Sequence, residues 1–184
     1  MVRPLLCCAL LAACSPNNAA PDVSVAPVSG RVVTSAGSGV VDLSRSSAIV
    51  GVSTAVNASP DSVFAALRAV YKELGVTTPL LDPARRVAGN EFLKARRRFA
   101  GAPMQGYFDC GMNMSQPNAE TYDLEIGIVS VVTPSAGGNS TVTTTLTAAG
   151  SDPTFGKDRQ VRCASSGELE KRIVTMVRTI LRLR

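Results

Sequence analysis

The chain of 184 residues has no histidine and no tryptophan, and aromatic residues make up only 4% of it. Without histidine, catalytic dyads and triads that use an imidazole base are excluded, as are histidine metal sites. No apolar run approaches the roughly 20 residues that a membrane-spanning helix needs. These absences exclude several common enzyme classes and a permanent helical anchor.

The first 18 residues carry a segmented pattern. Arg3 precedes an apolar run over residues 5–11, the quartet Leu11-Ala12-Ala13-Cys14 follows, and Ser15 and Pro16 begin a polar stretch. A basic start, an apolar core and small residues before a cut site predict a secretory signal peptide over residues 1–13. The alternative is an ordinary short apolar terminus on a cytosolic protein.

The quartet Leu11-Ala12-Ala13-Cys14 resembles the lipobox of bacterial lipoproteins. That resemblance implies that Cys14 is acylated and becomes the first residue of the mature protein. The protein would then be held by lipid on a membrane of the cell envelope, on the periplasmic side of the outer membrane if the cell has one.

The cysteine count agrees with export. Cys7 and Cys8 lie in the predicted signal peptide and Cys14 is the predicted lipid site, which leaves Cys110 and Cys163. An even pair in an oxidising compartment predicts one disulfide. Two separate buried thiols are the alternative.

Residues 15–47 are rich in small and polar residues and have few charges, so we expect a flexible tether of residues 14–47 that includes the lipidated cysteine. The alternative interpretation is that segments 30–33 and 39–43 form short strands. A first strand is predicted over residues 48–56, where β-branched residues are frequent.

A helix is predicted from Pro60, with Ser59 as its N-cap and Gly75 just after its end. It has one apolar stripe at helical spacing: Val63, Phe64, Leu67, Val70, Tyr71 and Leu74.

The middle of the chain predicts extended structure over residues 76–82, a turn over 82–85, and strands over 86–99, 105–114, 121–133 and 140–149. The strand over 121–133 alternates most clearly between apolar and polar residues, which is typical of an antiparallel sheet buried on one face. Loops are predicted over 115–119, 134–139 and 151–162.

A long C-terminal helix is predicted, with Ser165 and Glu168 as a capping box and Glu168–Arg172 as a favourable ion pair. Its expected apolar stripe is Leu169, Ile173, Met176, Val177, Ile180 and Leu181.

These elements predict a two-layer α+β domain over residues 48–184. It has one antiparallel sheet of about five to six strands, with the N-terminal helix and the long C-terminal helix packed on one face. This order resembles the helix-grip architecture of START-like ligand-binding domains and of the BamC lipoprotein. A ferredoxin-like sandwich is the alternative.

Two groups of charged residues are candidates for function. Lys94, Arg96, Arg97 and Arg98, with Arg85 and Arg86 nearby, predict contact with an anionic surface such as phospholipid headgroups. The alternative is an exposed edge strand kept soluble by its charge.

The acids on predicted strands are Glu91, Asp109, Asp123 and Glu125, and the last two would share one sheet face. Solvated surface acids are favoured over a paired catalytic site.

The sequence therefore predicts a non-catalytic envelope lipoprotein that acts as a structural or interaction module. It has no cofactor, no metal and no nucleic-acid partner, and it contacts a membrane through its lipid and an envelope protein through its surface. The alternative function is binding of a small apolar ligand between the sheet and the C-terminal helix. An enzyme is the third hypothesis, because no nucleophile motif is present.

Overall fold

The computed structural model describes residues 34–36, 39–41, 51–154 and 156–183. The predicted signal peptide, Cys14, most of the predicted tether and the start of the first predicted strand lie outside the described residues. The described elements, in chain order, are β1 (Thr34–Ala36), β2 (Gly39–Val41), β3 (Val52–Val56), α1 (Pro60–Glu73), β4 (Leu80–Asp82), β5 (Val87–Arg96), β6 (Arg98–Phe99), β7 (Ala102–Pro103), β8 (Phe108–Asp109), β9 (Met112–Asn113), β10 (Gln116–Pro117), α2 (Asn118–Thr121), β11 (Asp123–Pro134), β12 (Ser140–Asp152), β13 (Gly156–Ser165) and α3 (Glu168–Ile180).

A long hairpin of β11 and β12 forms the centre of the main sheet. The two strands pair along their whole length, from Asp123 opposite Ser151 to Pro134 opposite Ser140. On the other edge of β11 lies β5, and β4 lies outside β5. The far edge of β12 is shared by β3 and β13. Every one of these pairings is antiparallel, so the predicted α+β class with an antiparallel sheet and a C-terminal helix is confirmed.

The strand predicted over 121–133 is confirmed as β11, and its apolar face lies in the core. Leu124, Ile126, Ile128 and Val132 are buried, whereas Asp123 is exposed on the opposite face. Both helices pack on the buried face. Helix α1 contacts β5, β11 and β12, and α3 contacts β3, β12 and α1.

Strand β5 contains a bulge that conceals its alternation in the sequence. Ile126 pairs with Leu93 and Ile128 pairs with Asn90, so β5 has one extra residue between these two pairs. A bulge shifts the alternation of a strand by one residue. The residues of β5 that face the core therefore have even numbers before the bulge and odd numbers after it. Phe92 at the bulge is consequently 72% exposed. The predicted single strand over 86–99 also ends early, because Arg97 has a left-handed backbone (φ 61°) that reverses the chain.

Helix α1 begins as predicted. The Ser59 hydroxyl accepts from the Ser62 backbone N–H at 3.4 Å, Pro60 is the first helical residue, and Gly75 follows the helix with φ 72°. All six residues of the predicted stripe are buried.

The N-cap of helix α3 lies two residues later than predicted. Its N-cap is Gly167, so the predicted capping box is wrong: Ser165 Oγ instead accepts from Gly167 N–H and donates to Glu170 Oε1. The predicted ion pair is also replaced, because Glu168 pairs with Lys171 at 2.7 Å. Arg172 instead donates to the Ala100 carbonyl oxygen.

The predicted stripe of α3 is confirmed for Leu169, Ile173 and Val177, which are fully buried, but Ile180 at the end of the helix is 41% exposed. At the start of the helix, Arg172 bonds Ala100 and the Tyr107 hydroxyl. Near its end, Arg178 donates to the Ala55 carbonyl oxygen in β3 at 2.9 Å. The helix therefore extends from the segment around residues 100–107 to β3.

The region 98–121 does not form the single strand predicted over 105–114. It contains only short strands, the helix α2 and a 3-10 turn at Met104–Gly106, and the predicted loop over 115–119 contains β10 and the start of α2. Met104 and Phe108 are buried here, so the region adds to the core, and its short strands β6, β7 and β8 extend the edges of the sheet. The sequence of this region has no long run of alternating apolar and polar residues, because its buried residues come from several short strands and turns.

A disulfide joins Cys110 to Cys163, as predicted. Cys110 lies just after β8 rather than within a strand over 105–114, and Cys163 lies inside β13, whose first seven residues fall in the loop predicted over 151–162. The bond therefore attaches region 98–121 to the sheet. Two further contacts hold the same junction: β8 pairs with β13, and Ser166 N–H donates a hydrogen bond to the Tyr107 carbonyl oxygen.

A chain of hydroxyl groups links α1 to the centre of the sheet. Tyr71 Oη lies 2.6 Å from Ser130 Oγ, which lies 2.7 Å from Thr144 Oγ1. All three residues are buried. Burial raises the pKa of Tyr71 above its usual range, so its hydroxyl is protonated at neutral pH.

The first prediction concerns this chain of hydroxyls. Tyr71→Phe should lower the free energy of unfolding by about 1 kcal/mol, because it removes one buried hydrogen bond. Ser130→Ala should cost more, about 2 kcal/mol, because it leaves both Tyr71 and Thr144 without this partner. Urea unfolding measures both values.

The matched control is Thr143→Val, which removes the 2.8 Å hydroxyl contact between Ser53 and Thr143 at an exposed position. It should change the free energy of unfolding by less than about 0.5 kcal/mol. A Ser130→Ala cost no greater than that of the control would contradict a stabilising role for the buried chain.

The second prediction concerns the disulfide. The sequence separation of 53 residues corresponds to roughly 4 kcal/mol in the chain-entropy model, an upper figure where native strain or unfolded structure intervenes. Reduction should therefore lower the melting temperature markedly, and the Cys110→Ala/Cys163→Ala variant should unfold at a similar temperature with or without reductant. Circular dichroism should show the same secondary structure below the transition. Equal melting temperatures for the oxidised and reduced wild type would contradict this contribution.

Candidate functional site

The outer face of the sheet, away from the helices, carries a compact group of charged and polar residues at one end. The ladder places Lys94 opposite Glu125 and Arg96 opposite Asp123. Asp123 is in turn opposite Ser151, which is opposite Gln160. We call these six residues the outer patch. The prediction that Asp123 and Glu125 share one sheet face is confirmed, because they are two residues apart in one regular strand.

A cavity of about 480 Å³ lies at the outer patch. All six residues of the patch line it, together with Ala95, Leu124, Asp152 and Pro153. Asp152 is buried, and its Oδ1 accepts from Thr154 N–H at 2.8 Å, which fixes the turn after β12. The cavity therefore has a floor of regular strands and one wall formed by the turn.

The charges of the outer patch are only partly paired. Arg96 Nε lies 3.4 Å from Asp123 Oδ1, and both side chains are about half exposed. Within the described part of the chain, neither Lys94 nor Glu125 takes part in an ion pair. An exposed pair such as Arg96–Asp123 stabilises the fold by at most about 1 kcal/mol, so a charged ligand can displace it at little cost.

The predicted basic cluster is dispersed over several elements. Arg85 Nε lies 3.6 Å from Asp82 Oδ2, and Arg86 Nε lies 2.7 Å from Asp61 Oδ1 at the start of α1. These two cations therefore have acidic partners. Arg98 donates to the Gly101 carbonyl oxygen at 2.6 Å. Lys94 and Arg96 share the outer face with two carboxylates.

Lys94, Arg96, Arg97 and Arg98 are all exposed. Arg97 lies in the turn between β5 and β6, and Arg98 begins β6. Contact of Lys94, Arg96, Arg97 and Arg98 with an anionic surface stays a prediction, and the two neighbouring acids reduce the positive charge available for it.

The other two candidate acids are separated from the outer patch. Glu91 is exposed at the bulge of β5. Asp109 Oδ1 accepts from Gly111 N–H at 2.9 Å and so orders the link that follows β8. The structure thus unites only Asp123 and Glu125 of the four predicted acids.

The interface between the sheet and α3 is tightly packed where an apolar ligand was the alternative hypothesis. Leu169, Ile173 and Val177 have no accessible surface. A cavity large enough for a ligand would leave accessible surface on the side chains that line it, so these three side chains contact protein rather than an internal space. Packing of this kind is typical of a structural core.

Glu170 is a buried acid that the sequence did not single out. Only 2% of it is exposed, Oε1 accepts from Ser165 Oγ at 2.8 Å, and Oε2 has no hydrogen-bond partner. Burial raises the pKa of this carboxyl, while hydrogen bonds from its own backbone N–H and from Ser165 oppose the rise. Its position in the first turn of α3 favours negative charge, since the helix dipole is positive there.

Ser151, Asp152 and Gln160 were also missed as site residues, because residues 151–162 were predicted to be a loop. The strand signal was short: Val161 and Cys163 alternate with Gln160 and Arg162. That run of four residues follows a turn, and only its pairing with β12 makes it a strand.

Comparisons and searches of the described residues give no direct indication of chemistry. No protein-family model matches the chain, and no curated protein matches it. In the part of the chain that the structure describes, no three acidic, cysteine or histidine residues are grouped so as to hold a metal ion. No helix among the described residues is long and apolar enough to span a membrane.

The third prediction concerns Glu170. Its pKa is raised in the folded state above 4.5, so the folded protein binds more protons than the unfolded chain between 4.5 and the raised value. The stability that comes from keeping this carboxyl neutral is therefore fully present below pH 4.5, and it is lost as the pH rises through the pKa of the folded state. Glu170→Gln has no charge to bury and should lack this loss. Urea unfolding from pH 4 to pH 8 should show the wild type losing stability relative to Glu170→Gln.

The control is Glu168→Gln, which removes an exposed carboxylate from the same helical turn. It should show no comparable relative gain as the pH rises. A constant difference between wild type and Glu170→Gln at all pH values would contradict a raised pKa.

Proposed function

We propose that this protein is a lipid-anchored protein of a bacterial envelope whose folded domain is a non-catalytic structural or interaction module. The proposed parts are a signal peptide over residues 1–13, an acylated Cys14 with a tether to residue 47, and the domain over 48–184. The proposed location is the periplasmic side of the outer membrane where the cell has one. The lipobox-like quartet before Cys14 supports the anchor.

The disulfide is the observation that carries this proposal. Cys110 and Cys163 are the two cysteines that the proposed export and acylation would leave, and they are joined. Disulfides persist in oxidising compartments and are rare where thiols are kept reduced. A pairing between these two residues therefore supports export by an argument separate from the signal peptide.

The domain itself favours interaction over binding of an apolar ligand. The side chains of α3 that face the sheet are fully packed, so the contact between sheet and helix serves stability. Among the described residues, the surface carries the charged outer patch with its cavity, and separate exposed apolar side chains such as Phe92 and Met114. Catalysis is not part of this proposal, because the two acids of the patch lie on a solvated sheet face.

We also propose that the finer architecture is the helix-grip type, in which the sheet curves around the C-terminal helix. Two contacts support this. Helix α3 packs against both β12 and β3, and Arg178 near its end bonds the Ala55 carbonyl oxygen in β3. Helix α1 packs beside α3 on the same face of the sheet.

The fourth prediction tests the anchor. Bacteria that express the protein and grow with a clickable fatty acid should label the wild type, and Cys14→Ala should abolish the label because the acceptor sulfur is absent. Cys7→Ala and Cys8→Ala are matched controls that should leave labelling unchanged, since both residues lie in the predicted signal peptide. Equal labelling of Cys14→Ala and wild type would show that Cys14 is not the lipid site.

A further inference from the structure

The outer patch contains charges of both signs in a regular arrangement. Lys94 and Arg96 are two residues apart on β5, and Glu125 and Asp123 lie directly opposite them on β11. Neighbouring strands lie about 4.8 Å apart. The sheet therefore presents two cations beside two carboxylates at about that separation.

The cavity above this arrangement has the dimensions of a ligand site. Its volume of about 480 Å³ lies within the range of about 300–1,000 Å³ found for small-molecule pockets. It is open to solvent on the outer face, and its floor includes the small Ser151 side chain beside the two carboxylates. A headgroup or small metabolite fits this space, whereas the folded surface of a partner protein does not enter a depression of this size.

The charges restrict the chemistry of an occupant. A purely anionic ligand at Lys94 and Arg96 would also meet Asp123 and Glu125, with the buried Asp152 as a third carboxylate in the lining, and a purely cationic one would meet the two cations. Repulsion of this kind is unfavourable when a site is partly desolvated. A ligand that carries one charge of each sign avoids both repulsions and supplies partners for Lys94 and Glu125, which have none within the described residues.

We propose that this cavity binds a primary aminoalkyl phosphate, the chemistry of a phosphoethanolamine group. The phosphate would lie at Lys94 and Arg96, and the ammonium at Glu125 and Asp123. Two carbons and one ester oxygen separate nitrogen from phosphorus in this group, which matches the spacing between adjacent strands. An α-amino acid has a single carbon between its two charged groups and is too short to reach both rows.

The neighbouring polar residues select a primary ammonium. A primary ammonium has three N–H donors, and the cavity offers carboxylate oxygens from Asp123 and Glu125 and a hydroxyl oxygen from Ser151. Hydrogen bonds of this type are charge-assisted and are stronger than those between neutral groups. A trimethylated ammonium such as choline has no N–H and cannot make them. Phosphoethanolamine should therefore bind at least about tenfold more tightly than phosphocholine.

The same group occurs as a soluble metabolite and as the headgroup of phosphatidylethanolamine. A lipid source rests in part on the proposed membrane anchor, which would hold the domain within reach of headgroups. The chemistry of the cavity does not rest on it. The experiment therefore uses the full chain with Cys14→Ser, which cannot be acylated, with its disulfide intact, so that failure of the anchor cannot be mistaken for failure of the site.

The fifth prediction is tested first with soluble probes. Calorimetric or NMR titration should show glycerophosphoethanolamine binding at least about tenfold more tightly than glycerophosphocholine. Sedimentation with phosphatidylcholine vesicles that contain phosphatidylethanolamine, or the same fraction of phosphatidylglycerol, then separates the sources. Binding to the ethanolamine vesicles alone identifies the lipid headgroup, and binding of the soluble probe without vesicle binding identifies the soluble form; both support the site.

Variants test the assignment of residues. Glu125→Gln and Lys94→Gln should each weaken binding of glycerophosphoethanolamine about tenfold or more, because each removes one charge-assisted contact. Glu73→Gln at the exposed end of α1 is the matched control and should bind as the wild type does. Unchanged melting temperatures would show that the variants are folded.

Three results would overturn the proposal. One is equal affinity for the ethanolamine and choline probes, and another is absence of binding to both. The third is binding to phosphatidylglycerol vesicles alone, weakened by salt, which would assign the surface to the anionic contact of Arg97 and Arg98 instead.

Discussion

The need to cover the inner face of the β11–β12 hairpin determines most of this structure. The hairpin is long, and its inner face from Leu124 to Val132 is apolar except for the hydrogen-bonded Ser130 and its cross-strand partner Thr144. The chain has no tryptophan and only five phenylalanines and three tyrosines, so few large side chains are present to cover it. The cover is therefore built from three pieces: α1, α3 and the irregular region 98–121. The disulfide fastens the irregular piece, which has little regular hydrogen bonding of its own.

The parts of the fold that could be predicted are those in which local pattern and burial agree. The stripe of α1 and the alternation in β11 each continue long enough to specify a period, and both are as predicted. The disulfide could be predicted because the predicted signal peptide and acylation site account for the other three cysteines, which leaves Cys110 and Cys163.

The parts that were missed depend on distant contacts. The alternation in β5 is concealed by one extra residue at Phe92, which only the pairing with β11 reveals. Strand β13 and the start of α3 are fixed by pairing with β12 and by Gly167 rather than by a strong local signal. For the site, the sequence placed Asp123 and Glu125 on one face, but Lys94 and Arg96 joined them only through the strand register. Gln160 was missed because its strand was.

The division between the two faces of the sheet connects the fold to the proposed function. The inner face is used entirely for packing, with a buried hydroxyl chain at Tyr71 and closely packed side chains on α3. The outer face keeps its charges in register and leaves a cavity at one end. A domain of this kind stabilises itself on one side and presents a polar surface on the other, as expected of an interaction module held near a membrane.

Lipid anchoring and the disulfide are tested together by the intact mass of the protein isolated from its own cells, with and without reductant and alkylation. We expect a chain that starts at Cys14, carries the mass of attached lipid, and has no alkylated cysteine until reductant releases Cys110 and Cys163. An unlipidated chain that retains Met1 and shows free thiols at both positions would contradict this expectation.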